Sequence, residues 1–270
     1  MTGASINKIG KSTVPRTSIS TSDEHSITIR GEDLCRDLIG RISFTEYFSF
    51  LVTGQKPTRA DAMVLDATLV AIADHGMVPS VQASRMTYAA APDALQGAVA
   101  AGILGCGSVI LGASETAGRL FVEVDEEAKG AGGNLKEAAT RVVRRYREEK
   151  KPIPGYGHSL HKERDPRVDR LFAVAKEAGT SLRFVQIAEA VEEAIPAIVG
   201  KELKLNVSAA IPAVLLGTNF PLRALRGVPI LARTAGIIAH LAEEAENPSG
   251  FALAYQATRE LVYDGPEAKK

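Results

Sequence analysis

Residues 152–167, PIPGYGHSLHKERDPR, hold the densest chemistry in the chain. Pro152, Pro154, Gly155 and Gly157 stiffen a loop that delivers His158, and Lys162, Arg164 and Arg167 follow within nine residues of it. One imidazole beside several cations suits a multiply charged anion that carries a carbonyl or a hydroxyl. Gly157 removes the side chain that would keep the backbone from a ligand. Arg167 falls in the first turn of the helix that Pro166 opens, where its planar fork can pair both oxygens of a carboxylate. The plainer alternative is a solvated basic turn with a surface histidine.

Three other constellations could join this loop. Asp74-His75-Gly76, with Arg85 ten residues on, ends an apolar helical run; a favourable helix-end charge is its other reading. Arg233 lies in LARTAGIIAH, an otherwise apolar helix, where an unpaired guanidinium is expensive. It needs an anion, either a protein carboxylate or a ligand. His240, at the end of that run, fits a helix-capping role better than a reactive one. Asn206 and Ser208 are polar islands in an apolar stretch, and local hydrogen bonding accounts for such residues as readily as chemistry does.

The elements that must position these residues are helical. Leu34, Leu38, Phe44, Phe48, Leu51 and Val52 recur at near-helical spacing after a short strand at 26–30. Helices are expected at 58–73, opened by a capping-box-like Thr58, and at 80–90, 94–104, 115–129, 135–150, 166–178, 182–195, 207–216 and 229–245. The first 22 residues read as an extended arm, and a Pro/Gly-punctuated tail closes the chain. Gly and Ala density at 97–118 implies closely packed axes rather than a phosphate loop, which would need a preceding strand and a following basic residue. The chain is mostly α.

Bulk properties agree with a globular enzyme. The 270 residues are 45% hydrophobic and 24% charged, enough for a sizeable core. The 32 basic and 32 acidic residues balance, so nothing favours nucleic acid or an anionic membrane. Cys35 and Cys106 show neither metal-ligand nor redox spacing and read as buried free thiols. No signal peptide or stretch of about 20 apolar residues is evident, so a cytoplasmic location is expected.

Taken together, these pieces resemble the citrate synthase family, most closely its short citryl-CoA lyase-type members. The resemblance runs from about residue 28 onward and rests on five ordered matches. They are Ala-Asp-His75-Gly with Pro79-Ser80 and Arg85, Gly112-Ala-Ser-Glu115, Gly155-Tyr-Gly-His158 with Asp165-Pro-Arg167, Asn206-Val207, and Ala232-Arg233-Thr-Ala-Gly236. It implies an all-α fold with a large helical domain (1–112 and 213–270) and a small domain (113–212) that closes over the site. His75, Arg85, Arg167 and Arg233 would bind the acid, and His158 and Ser208 would stand at the catalytic positions. Lys162 with the backbone of Pro154, Gly155 and Gly157 would meet coenzyme A, which enters as a thioester substrate. The resemblance implies no metal and no covalently bound cofactor, and a homodimer or higher homo-oligomer.

Two positions depart from the family pattern. Ile110 stands where an enol-stabilising histidine is usual, and Ser208 where the catalytic aspartate is usual. A serine hydroxyl does not ionise near neutral pH, so forming a carbon–carbon bond from acetyl-CoA loses its base, at a cost of ~10²–10⁴ in rate. Cleaving citryl-CoA, or a related 3-hydroxyacid thioester, to acetyl-CoA and a 2-oxo acid such as oxaloacetate is less affected. The leading expectation is such a lyase. The alternatives are a paralogue that binds coenzyme A thioesters or carboxylic acids without turnover, and a citrate or methylcitrate synthase-type transferase with an unusual site.

Overall fold

The computed structural model describes residues 15–108, 111–130, 132–157 and 164–266, and its contacts divide the chain into two units, 1–58 and 59–270. Ile110, His158 and Lys162 lie outside the described residues.

In the first unit, β1 (Ser20–Ser22), β2 (Ile27–Ile29) and β3 (Glu32–Asp33) form a three-stranded antiparallel meander, with Thr21 opposite Thr28 and Thr28 opposite Asp33. Residues 20–22, expected in an extended arm, are therefore paired. A π-helical turn (Leu34–Leu38) leads to α1 (Phe44–Thr53). The break in the helical pattern has a cause at Ser43, whose hydroxyl accepts from Glu46 N while Glu46 reaches back to Ser43 N, a complete capping box. Ile29, Leu38 and Phe50 form this unit's core. Cys35, expected to be buried, is exposed: it is Leu34 and Leu38 of the π turn that pack against the core.

The second unit holds α2 (Arg59–Ala73), α3 (Pro79–Ala90), α4 (Leu95–Leu104), α5 (Ala113–Gly130), α6 (Leu135–Glu148), α7 (Pro166–Ala178), α8 (Arg183–Val199), α9 (Val207–Leu215), α10 (Gly227–Glu246) and α11 (Gly250–Glu260). α9 is buried almost throughout and packs on α2, α5, α7 and α8. α10 packs on α2, α3 and α4 around Val81, Ala98, Ile237 and Leu241. Small residues set these distances: a Cβ on Gly236 would strike Ala73 O, and one on Gly102 would strike Ser84 Oγ. No described helix is long and apolar enough to cross a membrane.

The largest departures from the sequence reading are at α8 and α11. α8 continues past Ile195 to Val199, because Pro196 falls in the last turn, and Gly200 (φ +79°) closes it with its N–H on Pro196 O. α11 was not expected at all; most of its residues are exposed, and the Ser249 and Gly250 N–H groups at its start are held by Glu244, in the last turn of α10.

Candidate functional site

The loop before His158 is fixed by pairing with the strand-like approach to α9. Tyr156 and Leu205 form an antiparallel bridge, Gly157 N donates to Lys204 O (2.7 Å), and Asn206 N donates to Gly155 O (3.0 Å). Tyr156 is buried and its hydroxyl donates to Ala188 O at 2.8 Å. Asn206 serves both partners: its Nδ2 donates to Gly157 O (2.7 Å), and its Oδ1 caps α9 by accepting from Ser208 N (2.9 Å). Ser208 is thus in the first turn of α9, half-buried, beside the end of the loop.

Gly155 is required twice over. Its φ is +87°, which L-residues avoid, and a Cβ would meet Ala209 Cβ at 2.5 Å. Gly155→Ala is expected to destabilise the fold by at least about 1–2 kcal/mol, through strain and the shift of α9. Chemical denaturation with an unchanged midpoint would refute this.

Asp165 ties the loop to the cations. As the N-cap of α7 it takes the Arg167 fork, with Nε to Oδ1 at 3.0 Å and Nη2 to Oδ2 at 2.8 Å, and it also accepts from Arg167 N and Val207 N. Burial pushes this carboxyl up, but those donors outweigh it and hold it below its usual value. The fork expected to grip a substrate carboxylate therefore grips Asp165. Its Nη1 reaches Ala71 O at the end of α2 (3.4 Å), where a cation also suits the helix dipole.

A depressed carboxyl stabilises fully above its unfolded pKa of ~4 and less as pH falls through its lower folded value. Asp165→Asn should therefore flatten the loss of stability on acidification below about pH 4. Superimposable wild-type and variant stability curves between pH 5 and 2 would contradict this assignment.

Arg233 lies on α10 one turn before Gly236, the residue that seats α10 on the end of α2. It is 4% exposed, and its Nε and Nη1 have no hydrogen-bond partner among the described residues. Burial lowers its pKa below the ordinary arginine value and Arg167 adds to that, while Cys106 and Asp74 act in the opposite direction. Arg233, Arg167, Asp74 and Cys106 are thus electrostatic neighbours around the end of α2. Cys106 is buried, and burial pushes its thiol up. Ser80 Oγ, close enough to temper that rise, has no well-formed hydrogen bond of its own, and neither has the buried Ser84 Oγ. Arg233 and Arg167 thus lie within electrostatic range of each other, near hydroxyls and guanidinium nitrogens with no hydrogen-bond partner among the described residues, a composition suited to an anion.

His75 sits in the exposed turn after α2. Its neighbour Asp74 bonds Gly76 N (3.2 Å) and His240 Nε2 (2.9 Å). Arg85 is drawn elsewhere: buried, it donates to Glu244 Oε2 (3.0 Å), Ser249 Oγ (3.3 Å), Glu243 and His240 Nδ1 (2.8 Å). Hydrogen bonds through Asn206 and Asp165 thus link Gly155, Gly157, Ser208 and Arg167, Arg233 lies within electrostatic range of Arg167 and Asp74, and Arg85 has internal partners. Of the carboxylates that organise these cations, Asp165 was quoted in a sequence motif without a role, and Glu244 was not singled out from sequence. Asp165 had a readable sign, an acidic residue just before a helix-starting proline.

Comparison with known proteins follows the same outline. The sequence pattern described as citrate synthase, C-terminal domain, matches residues 29–251. The citrate synthase of Haloferax volcanii is 26% identical over 205 residues, 74% of this chain and 51% of that protein. The citrate/2-methylcitrate synthase of Bacillus subtilis is 30% identical over 216 residues, 76% of this chain and 54% of that protein. The chain spans about half the length of the curated relatives it matches. A structure of citryl-CoA lyase from Hydrogenobacter thermophilus superposes with a TM-score of 0.83 at 33% identity, covering 96% of this chain and 97% of that one. An ATP citrate lyase from Methanosaeta concilii, in complex with (3S)-citryl-CoA, shares the fold (TM-score 0.74, 22% identity, 96% of this chain and 43% of that one).

Proposed function

Since the chain belongs to the citrate synthase family, we propose that it is a carbon–carbon lyase acting on citryl-CoA or a related 3-hydroxyacid thioester. The observation that carries this reading is Arg233, a buried guanidinium whose Nε and Nη1 have no hydrogen-bond partner among the described residues and which lies within electrostatic range of a second cation, Arg167. A substrate carboxylate supplies the missing partner. The fold likeness to the citryl-CoA lyase structure, at 33% identity over 96% of this chain, supports the lyase reading over the synthases.

In this reading Arg233 and His75 hold carboxylates, and Arg167, pre-oriented by Asp165, offers its Nη1 edge. Arg85, engaged by Glu244 and Glu243, is assigned a structural role. His158 removes the proton of the 3-hydroxyl; as that oxygen becomes a carbonyl, the adjacent carbon–carbon bond breaks and leaves the thioester enolate, which a proton quenches to acetyl-CoA. Ser208, at the mouth of the loop, relays that proton through water. Lys162 meets the coenzyme A phosphates, and the backbone of Pro154, Gly155 and Gly157 lines the adenine side. Residues 113–212 closing over 1–112 and 213–270, a homodimer and a cytoplasmic location complete the proposal.

The test pairs two assays on the same preparation: acetyl-CoA release from citryl-CoA, and coenzyme A release from acetyl-CoA with oxaloacetate. Cleavage is expected to exceed condensation, and His158→Ala to lower it by ~10²–10⁴. A second reading, binding without turnover, is favoured by Ile110 and Ser208 at the two usual polar positions. Citrate binding with neither reaction detectable, in wild type or His158→Ala, selects it.

A further inference from the structure

His240 touches both the buried ion pairs of α3, α10 and α11 and the turn that carries His75. We propose that His240 is a positioning residue: Arg85 holds its imidazole in the Nε2–H form, and that N–H clamps Asp74 and so fixes the turn presenting His75.

The tautomer follows from hydrogen-bond inventory. A guanidinium has donors only, so Arg85 Nη2, 2.8 Å from His240 Nδ1, requires a lone pair on Nδ1. The proton of the neutral ring is then on Nε2, which is 2.9 Å from Asp74 Oδ1. The other carboxylate oxygen, Oδ2, accepts from Gly76 N at 3.2 Å, and His75 N–H also favours the ionised form. Gly76, at φ +69°, turns the chain tightly round that carboxylate.

The two ends of this strut differ in exposure. Arg85 is buried and donates to Glu244, Glu243 and Ser249. Asp74, by contrast, has a side chain 55% exposed, with water ready to compete for it. His240 joins the buried end to the exposed one. The step from a fixed turn to ligand affinity rests on the proposed role of His75 in holding a substrate carboxylate.

Residue-resolved amide exchange on the full chain reads the turn without any ligand. In His240→Ala the His75 and Gly76 amides should exchange about tenfold faster than in wild type. His240→Gln, whose amide keeps a donor for Asp74, should restore most of the protection. Nitrogen-15 shifts of wild-type His240 should report a protonated Nε2 and a bare Nδ1. Calorimetry with citrate reads the consequence: about tenfold weaker binding in His240→Ala and near-wild-type binding in His240→Gln. Unchanged exchange at 75 and 76, acceleration spread evenly over α3 and α10, a neutral ring protonated on Nδ1, or equal citrate affinity in His240→Ala and wild type would each overturn the proposal. A wild-type protein that binds no citrate sinks the functional reading instead, and the exchange and nitrogen-15 results still decide on the strut.

Discussion

Replacing Arg233 with methionine is expected to remove citrate and citryl-CoA binding while raising the melting temperature. The two effects share one cause. Arg233 is 4% exposed, and two of its guanidinium nitrogens have no hydrogen-bond partner among the described residues, an arrangement that carries the cost of dehydrating a cation. Methionine fills a similar volume with no charge, and exchanging buried charge for apolar bulk gains about 1–4 kcal/mol in favourable cases. At about 2–4 °C per kcal/mol for a domain of this size, a rise of a few degrees follows. Losing one member of a buried charge pair with ligand costs about 2–5 kcal/mol, or roughly 30- to several-thousand-fold in affinity. Calorimetry and thermal melts on the same variant check both signs. A lower melting temperature with citrate affinity retained would mean that Arg233 is a structural residue.

Glu244→Ala should have the opposite signature: a large loss of stability. Glu244 is 2% exposed and accepts from Arg85 Nη1 (3.0 Å), Ser249 N (2.7 Å), Ser249 Oγ (2.6 Å) and Gly250 N (2.6 Å). Burial pushes its carboxyl up, and the Ser249, Gly250 and Arg85 donors outweigh that and hold it low. Truncation strands the Arg85 cation and uncaps α11 together. Breaking a buried pair by removing one partner costs about 3–5 kcal/mol, which predicts a melting temperature lower by ~10 °C. Glu244→Gln keeps the shape and one acceptor and should fall between. A Glu244→Ala melt within a degree or two of wild type would show that the cluster contributes little.

These two residues mark the limits of what the sequence discloses. Arg233 was legible, because a guanidinium in an apolar helical run must find an anion, and the helices around it follow from periodicity. The Pro166 start of α7 and the Asn206 cap of α9 were legible too, since both are local side-chain-to-backbone chemistry. Glu244 was not: its partners Arg85 and Gly250 lie on two other helices, and nothing local in HLAEEAENPSG separates Glu244 from Glu243, whose side chain is 60% exposed. Arg85 illustrates the same limit. The family resemblance implied that it binds substrate, whereas the close approach of α3, α10 and α11 surrounds it with internal acceptors. Arg167 was read as a fork for the two oxygens of a substrate carboxylate, whereas its fork takes the oxygens of Asp165, two residues away, and only side-chain geometry reveals that.

A crystal structure with citrate and coenzyme A bound tests the central claim most directly. The account predicts a citrate carboxylate on Nε or Nη1 of Arg233, with the Arg167–Asp165 pair intact beside it. Citrate bound elsewhere, or a protein carboxylate occupying Arg233 with citrate present, would contradict it.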